Sequence, residues 1–200
     1  MEEIHHRVKN NLAHISGILE LQSYNTQSEE AYTVLQDSQS RVQSIAMIHD
    51  QLYQHESFKK VRVDQYIERL TKTIERTWET DDTDIDYHLE ADPISLPVKE
   101  AVPCGSLINE LITNATKHAF KEKQKGNIWI ELRKVDQMVK LRVEDDGSGL
   151  PDDFSIESED TLGVNLINNF ARQLDGELSY ETGDGTSFTV LFNHPVEVEN

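Results

Sequence analysis

Asn109-Glu110-Leu111-Ile112-Thr113-Asn114-Ala115-Thr116-Lys117-His118 decides how the rest of the chain is read. Glu110 and Asn114 are four apart, so a helix puts them on one face with Lys117 close by. On a helix otherwise rich in Leu and Ile, an amide, a carboxylate and an amine on one face suit a hydrated cation and phosphates. An Asn oxygen is a fitting Mg2+ ligand, because Mg2+ keeps several waters and needs few protein oxygens. An ordinary solvated helix face is the competing reading, and this segment alone does not choose. The helix is predicted to run to Phe120, with Pro97 and Pro103 restricting its start to the far side of Pro103.

Downstream, apolar–polar alternation predicts strands at Asn127–Val135, Met138–Glu144, Leu178–Glu181 and Thr186–Phe192. A helix is expected over Leu162–Leu174, and Trp129 is read as core. The second strand runs into Asp145-Asp146-Gly147-Ser148-Gly149-Leu150-Pro151. A carboxylate at a strand end can accept a hydrogen bond from a base amino group, and glycines let backbone pass close to it. An Asp-Gly turn is the plain alternative. Leu162-Gly163-Val164-Asn165-Leu166 opens the next helix, offering backbone N–H groups and a positive dipole end to phosphates. Gly183-Asp184-Gly185-Thr186 reads as a hairpin turn.

Upstream, Val61–Trp78 is predicted as a helix with Val63, Ile67, Leu70 and Ile74 on one face, and Ile85–Leu89 as a strand. Before that, Ile4, Val8, Leu12, Ile15 and Leu19 form one helical stripe. After a polar break at 25–28, Val34, Leu35, Val42, Ile45, Ile48 and Leu52 form a second. Ser28 before Glu29 and Glu30 is a fitting cap. Two amphipathic helices joined by a short turn make a hairpin that cannot bury both stripes alone. The expectation is a homodimeric four-helix bundle; the alternative folds the hairpin onto its own chain. The fold class is α+β: a helical hairpin over residues 1–58, a hinge near Ser57–Lys60, then helices on a mixed sheet over residues 61–195.

The chain has 200 residues, with Lys+Arg 19 and Asp+Glu 37 for a net charge of −18. Such a surface repels nucleic-acid backbones and anionic lipid heads, so neither is an expected partner. A single cysteine, Cys104, excludes an internal disulfide framework and a Cys-rich zinc site. No apolar run approaches the ~20 residues of a membrane span, and a cytoplasmic location is expected. Cys104 is read as packing. His14, His49, His55, His88 and His194 are read as surface residues.

Taken together, the four downstream segments resemble the N, G1, G2 and final glycine boxes of the ATP-binding fold shared by sensor histidine kinases, DNA gyrase and certain chaperones. The likeness covers roughly Val61 to Asn193. It implies that Asn114 holds Mg2+, Lys117 touches the phosphates of ATP, His118 lies near the nucleotide and Asp145 reads the adenine. Gly147, Gly149 and Gly163 would shape the pocket, with Asp152–Thr161 as a mobile lid and Thr186 supporting Asp145. The glutamate matching Glu110 activates water in the hydrolysing relatives and more often supports the Mg2+ shell in kinases, and the supporting role is expected here.

His6-Arg7-Val8-Lys9-Asn10 is similar to the phosphoacceptor helix of the HRxxN histidine kinases, relatives of the HWE group. A neutral imidazole is a good nucleophile, and Arg7 and Lys9 can neutralise an incoming phosphoryl group. The resemblance implies His6 as acceptor ahead of His5, with Asn10, one turn on, able to orient a water. Two features depart from the wider pattern. Arg7 stands where most histidine kinases carry an acid read as the general base, which leaves the base open. Val143 and Asp145 stand where the HWE group has its tryptophan and glutamate, and Trp129-Ile130-Glu131 only mimics that signature one strand early. The implied function is a transmitter core that phosphorylates His6 and passes the group to an aspartate of a response-regulator receiver domain. The alternatives are an ATP-hydrolysing domain of the same fold, or a dimer scaffold that docks a receiver. With the acceptor so close to Met1, sensing is expected to come from elsewhere.

Overall fold

The computed structural model describes residues 2–53, 60–78, 84–121, 123, 125–151, 153–159 and 161–193; within these, side chains are described except at 2–6, 44, 47–53, 77 and 78. Helices α1 (Glu2–Asn25) and α2 (Glu29–Tyr53) form the hairpin. Ser28 caps α2 as expected, its Oγ accepting from Ala31 N at 3.2 Å. A strand, β1 (Lys60–Arg62), leads into α3 (Val63–Trp78). Then come β2 (Asp84–Ala91), β3 (Ser95–Pro97) and α4 (Val98–Asn114), which continues as a π turn over Ala115–Ala119. The remainder is β4 (Lys125–Val135), β5 (Met138–Asp145), α5 (Leu162–Gln173), β6 (Glu177–Gly183) and β7 (Gly185–Asn193).

The main sheet runs β2-β4-β5-β7-β6, with β2 and β4 parallel and the other neighbours antiparallel; β1 and β3 pair separately. Its inward face presents Ile128, Ile130 and Leu132 from β4, Val139, Leu141 and Val143 from β5, and Val190 and Phe192 from β7. Tyr66, Ile67 and Leu70 of α3, Leu107, Ile108 and Ile112 of α4, and Ile167 of α5 complete one continuous core with them. Each such side chain contributes roughly 1.5–3 kcal/mol on burial. That core fixes α4 and α5 against the ends of β5 and β7, where the candidate site lies.

Three expectations are corrected. The helix expected from Val61 starts at Val63, because Lys60–Arg62 pairs with β3. The long helix begins at Val98 rather than beyond Pro103, which sits buried inside it. An internal proline costs about 3 kcal/mol, and the burial of Ala101, Cys104, Leu107 and Ile108 on that helix outweighs it. Trp129 is not core: period-two alternation turns it outward between Ile128 and Ile130, where it is 39% exposed and stacks on His88 with centroids 5.5 Å apart. His88 is exposed, as expected.

On the hairpin, Val8, Leu12, Leu19, Leu35 and Val42 are partly covered, whereas Ile15, Ile18, Leu21, Tyr24, Tyr32, Val34 and Ile45 are exposed. The hairpin also packs its α2 helix along α4. The expected hinge near Ser57–Lys60 lies outside the described residues except for Lys60.

Candidate functional site

Asp145, the last residue of β5, is buried, and its Oδ1 accepts hydrogen bonds from Gly147 N at 2.9 Å and Thr186 N at 3.3 Å. Burial raises its carboxyl above the usual aspartate range, and those two amides oppose the shift. Thr186 stands directly across from Asp145 in the β5–β7 register. The turn that follows is built by close approach. A Cβ on Gly147 would lie 2.3 Å from Ala119 Cβ and 2.5 Å from Ala119 O, and Ser148 N donates to that same oxygen at 3.0 Å. Gly149 has φ +73° and backs onto Gly183 O, while Leu150 N donates to Thr182 Oγ1 at 2.8 Å. The G1-like turn is thereby fastened to the π turn on one side and to the β6–β7 hairpin on the other. Lys123, which the sequence reading did not single out, braces it by donating to Gly147 O at 3.1 Å.

Gly163 stands where a Cβ would be 3.3 Å from the Asn114 side-chain nitrogen and 3.5 Å from its oxygen. The first helical bond of α5 runs from Asn165 N to Thr161 O at 3.0 Å, so the amides of Leu162, Gly163 and Val164 precede its ladder. The half-buried amide of Asn114 and the positive end of α5 thus face one another across a cradle that a side chain at 163 would crowd. This donor set fits a phosphate group at the α5 amides, and the Asn114 oxygen would hold a hydrated metal ion there. Among the described residues no group of three or more His, Cys, Asp and Glu is gathered as a metal cage, and Mg2+ needs none. The expected lid, Asp152–Thr161, is described at 153–159 and 161; positions 152 and 160 lie outside the described residues. Asn168 donates to Ile156 O at 3.1 Å, and Tyr180 to Phe154 O at 3.3 Å.

Glu110 and Lys117 are not on a solvated face. Arg41 of α2 grips the Glu110 carboxylate through two nitrogens, with Nη2 2.9 Å from Oε2, and Lys117 forms an ion pair with Asp37 of α2. Burial pushes the Lys117 amine down to about 8, against the direction the Asp37 carboxylate favours. His118 is exposed on the π turn, so it has no core role. His6 and Asn10 both lie on α1; Asn10 is exposed, and the His6 side chain is outside the described residues. Cys104 is fully buried and its thiol is pushed up to about 12, in keeping with packing.

Residues 3–78 match a family model described as histidine kinase, and residues 100–196 match one described as histidine kinase-, DNA gyrase B-, and HSP90-like ATPase. The chain belongs to the histidine kinase family. The sensor histidine kinase PdtaS of Mycolicibacterium smegmatis is 33% identical over 98% of this chain, which spans 39% of that protein. Blue-light-activated histidine kinase 2 of Erythrobacter litoralis is 26% identical over 98% of this chain, which spans 57% of it. The solved Erythrobacter litoralis EL346 blue-light activated histidine kinase superposes with a TM-score of 0.74 at 24% identity, over 96% of this chain and 58% of that one. Its isolated kinase domain gives 0.73 at 22% identity, over 93% and 94%. These structures share the fold of a helical region followed by the α/β ATPase sheet. The chain spans about two fifths of the mycobacterial relatives. Among its described residues no helix is long and apolar enough to cross a membrane.

Asp37 and Arg41 are the site neighbours that sequence reading missed. Opposite charges four apart on a helix were the available signal, but they read equally well as an exposed pair.

Proposed function

We propose that this chain is a transmitter core that takes the γ-phosphoryl group of ATP onto His6 and hands it to an aspartate of a response-regulator receiver domain. The observation that carries the reading is convergence. Asn114, the Asp145–Gly149 turn, Gly163 and Thr186 come from distant parts of the sequence and meet through the close approaches described above. Asp145 accepts the adenine amino group, held in aim by the amides of Gly147 and Thr186. Asn114 contributes its side-chain oxygen to Mg2+, with Glu110 supporting the hydrated shell. Lys117 and the α5 amides hold the phosphates, and His118 lies at the rim. When bound, Mg2+ would supply charge neutralisation at the phosphate oxygens.

An imidazole nitrogen of His6 attacks the γ-phosphorus while the bridging P–O bond breaks and ADP departs with its electron pair. Arg7 and Lys9 neutralise the arriving group. Asn10, one turn on, is placed to orient a water that cleaves the N–P bond of phosphohistidine, releasing inorganic phosphate and returning the free imidazole. Residues 1–58 serve as the acceptor and dimerisation unit, and residues 61–195 as the nucleotide-binding unit. The exposed stripe Ile15, Ile18, Leu21 and Tyr24 supports a homodimer through the hairpin, in the cytoplasm where receiver domains reside.

Incubation with γ-labelled ATP tests this reading. Label that is lost in acid and kept in alkali is expected, as phosphohistidine requires. Label that survives acid, or phosphate release with no protein label, would overturn it.

A further inference from the structure

Two charged residues one helical turn apart on α2 meet the two charged residues of α4 and its π turn that face a nucleotide in the reading above. The Asp37 carboxylate sits on Lys117, where a phosphate oxygen belongs. The Arg41 guanidinium sits on Glu110, where the hydrated cation belongs. The sign of charge is right at both places, and Glu110 is 3% exposed and Lys117 10%. We propose that Asp37 and Arg41 form an internal stand-in for the metal–phosphate end of the nucleotide, so that docking of the hairpin on α4 and binding of Mg·ATP exclude one another. The inference rests on the nucleotide site of the proposed function.

Two further observations support it. Ser106, Asn109 and Glu110, Thr113 and, on the π turn, Lys117 recur at three- to four-residue steps along one side of the helix. Within that stripe Ser106 Oγ, Asn109 Oδ1 and Thr113 Oγ1 are buried with no hydrogen-bond partner among the described residues. A permanent interface satisfies its polar atoms; a surface that alternates between covered and wet need not. The second observation is register. Gln36 Nε2 donates to Ser23 Oγ at 3.4 Å, which sets Asp37 beside the far end of α1, near Ser23. Ser23 is seventeen residues from His6 along that helix, or roughly 25 Å at ~1.5 Å per residue. A phosphoryl group at Lys117 in this docked arrangement is far out of reach of the same chain's His6. The clasp therefore describes a resting state that must open before transfer, and the nucleotide itself competes to open it.

Spin labels on Thr33→Cys in α2 and Gln137→Cys in the β4–β5 turn, both exposed, report the docking in the full chain without relying on activity. The ligand-free protein is expected to give one narrow distance. Asp37→Asn with Arg41→Gln, or Asp37→Asn alone should the pair impair folding, is expected to broaden it. Mg2+ with a non-hydrolysable ATP analogue is expected to do the same to the parent. In equilibrium titration the variant is expected to bind that analogue roughly three- to tenfold tighter, since apparent affinity scales with the fraction in the competent state. An unchanged distance distribution, or binding no tighter than the parent's, overturns the clasp while leaving the nucleotide site intact. Absence of binding by both proteins overturns the clasp and the proposed function together.

Discussion

Replacing Gly147 by alanine puts a methyl group where the fold has no room for it. The added Cβ would lie 2.3 Å from Ala119 Cβ, 2.5 Å from its carbonyl oxygen and 2.8 Å from its carbonyl carbon. Non-bonded carbons settle at ~3.5–4.0 Å, so the turn and the π segment must separate by more than about 1 Å. No flexible side-chain tip is available to yield. Separation also breaks the bond from Ser148 N to Ala119 O and drags Gly147 N away from Asp145 Oδ1. Overpacking of this kind costs about 1–3 kcal/mol, and one lost hydrogen bond a further ~0.5–1.5 kcal/mol. For a chain of this size each kcal/mol lowers Tm by roughly 2–4 °C, so a fall of about 5–15 °C is expected in a thermal melt followed by circular dichroism. Nucleotide affinity, titrated on the same sample well below its Tm, should fall about tenfold or more as the Asp145 carboxylate is misaimed. Gly17→Ala is the control: nothing lies within 4 Å of its added Cβ, and alanine inside a helix gains roughly 0.5–1 kcal/mol over glycine. A Gly147→Ala protein that melts and binds like the Gly17→Ala protein would refute the packing argument.

Other tests probe separate parts of the molecule. Because burial raises the Asp145 carboxyl, its charged, accepting form is lost on acidification at a higher pH than for an ordinary aspartate. Nucleotide affinity followed against pH should drop correspondingly early, and a drop only where an ordinary aspartate titrates would contradict the site. Cys104, buried with its thiol pushed up to about 12, is expected to resist a thiol reagent at mildly alkaline pH and to react in full once urea unfolds the chain. Fast labelling of the native protein would argue against that packing. Leu21→Glu, on a residue 62% exposed in the single chain, is expected to move the sedimenting species from dimer to monomer and to lower Tm, since association stabilises the folded hairpin by mass action. A parent that sediments only as monomer would remove the bundle from the account.

The sheet was legible because alternation is a local code. Ile128, Ile130 and Leu132 declare the inward face of β4 without any knowledge of what packs there, and the same code points Trp129 outward, against its reading as core. The three-residue strands β1 and β3 carry too few positions to show a period, and their pairing across more than thirty residues is a tertiary event. Pro103 misled for a related reason: a local penalty of about 3 kcal/mol is visible in the sequence, whereas the burial that offsets it is not. In the site, the boxes around Asn114, Asp145 and Gly163 were legible only as a set, through their resemblance to an ATP-binding fold; the contacts that set Gly147 on Ala119 and Gly163 on Asn114 join residues far apart in sequence. The engagement of Glu110 and Lys117 by α2 was not legible. It depends on how the hairpin lies across α4, and no spacing within either helix encodes that.

Phosphorylation of one imidazole is the claim on which the account stands, and it is measured most directly by comparing the parent with His6→Ala after incubation with γ-labelled ATP and Mg2+. Acid-labile label is expected on the parent, none on His6→Ala, and equal nucleotide affinity for the two in equilibrium titration. Label retained at the parental level on His6→Ala would contradict that claim.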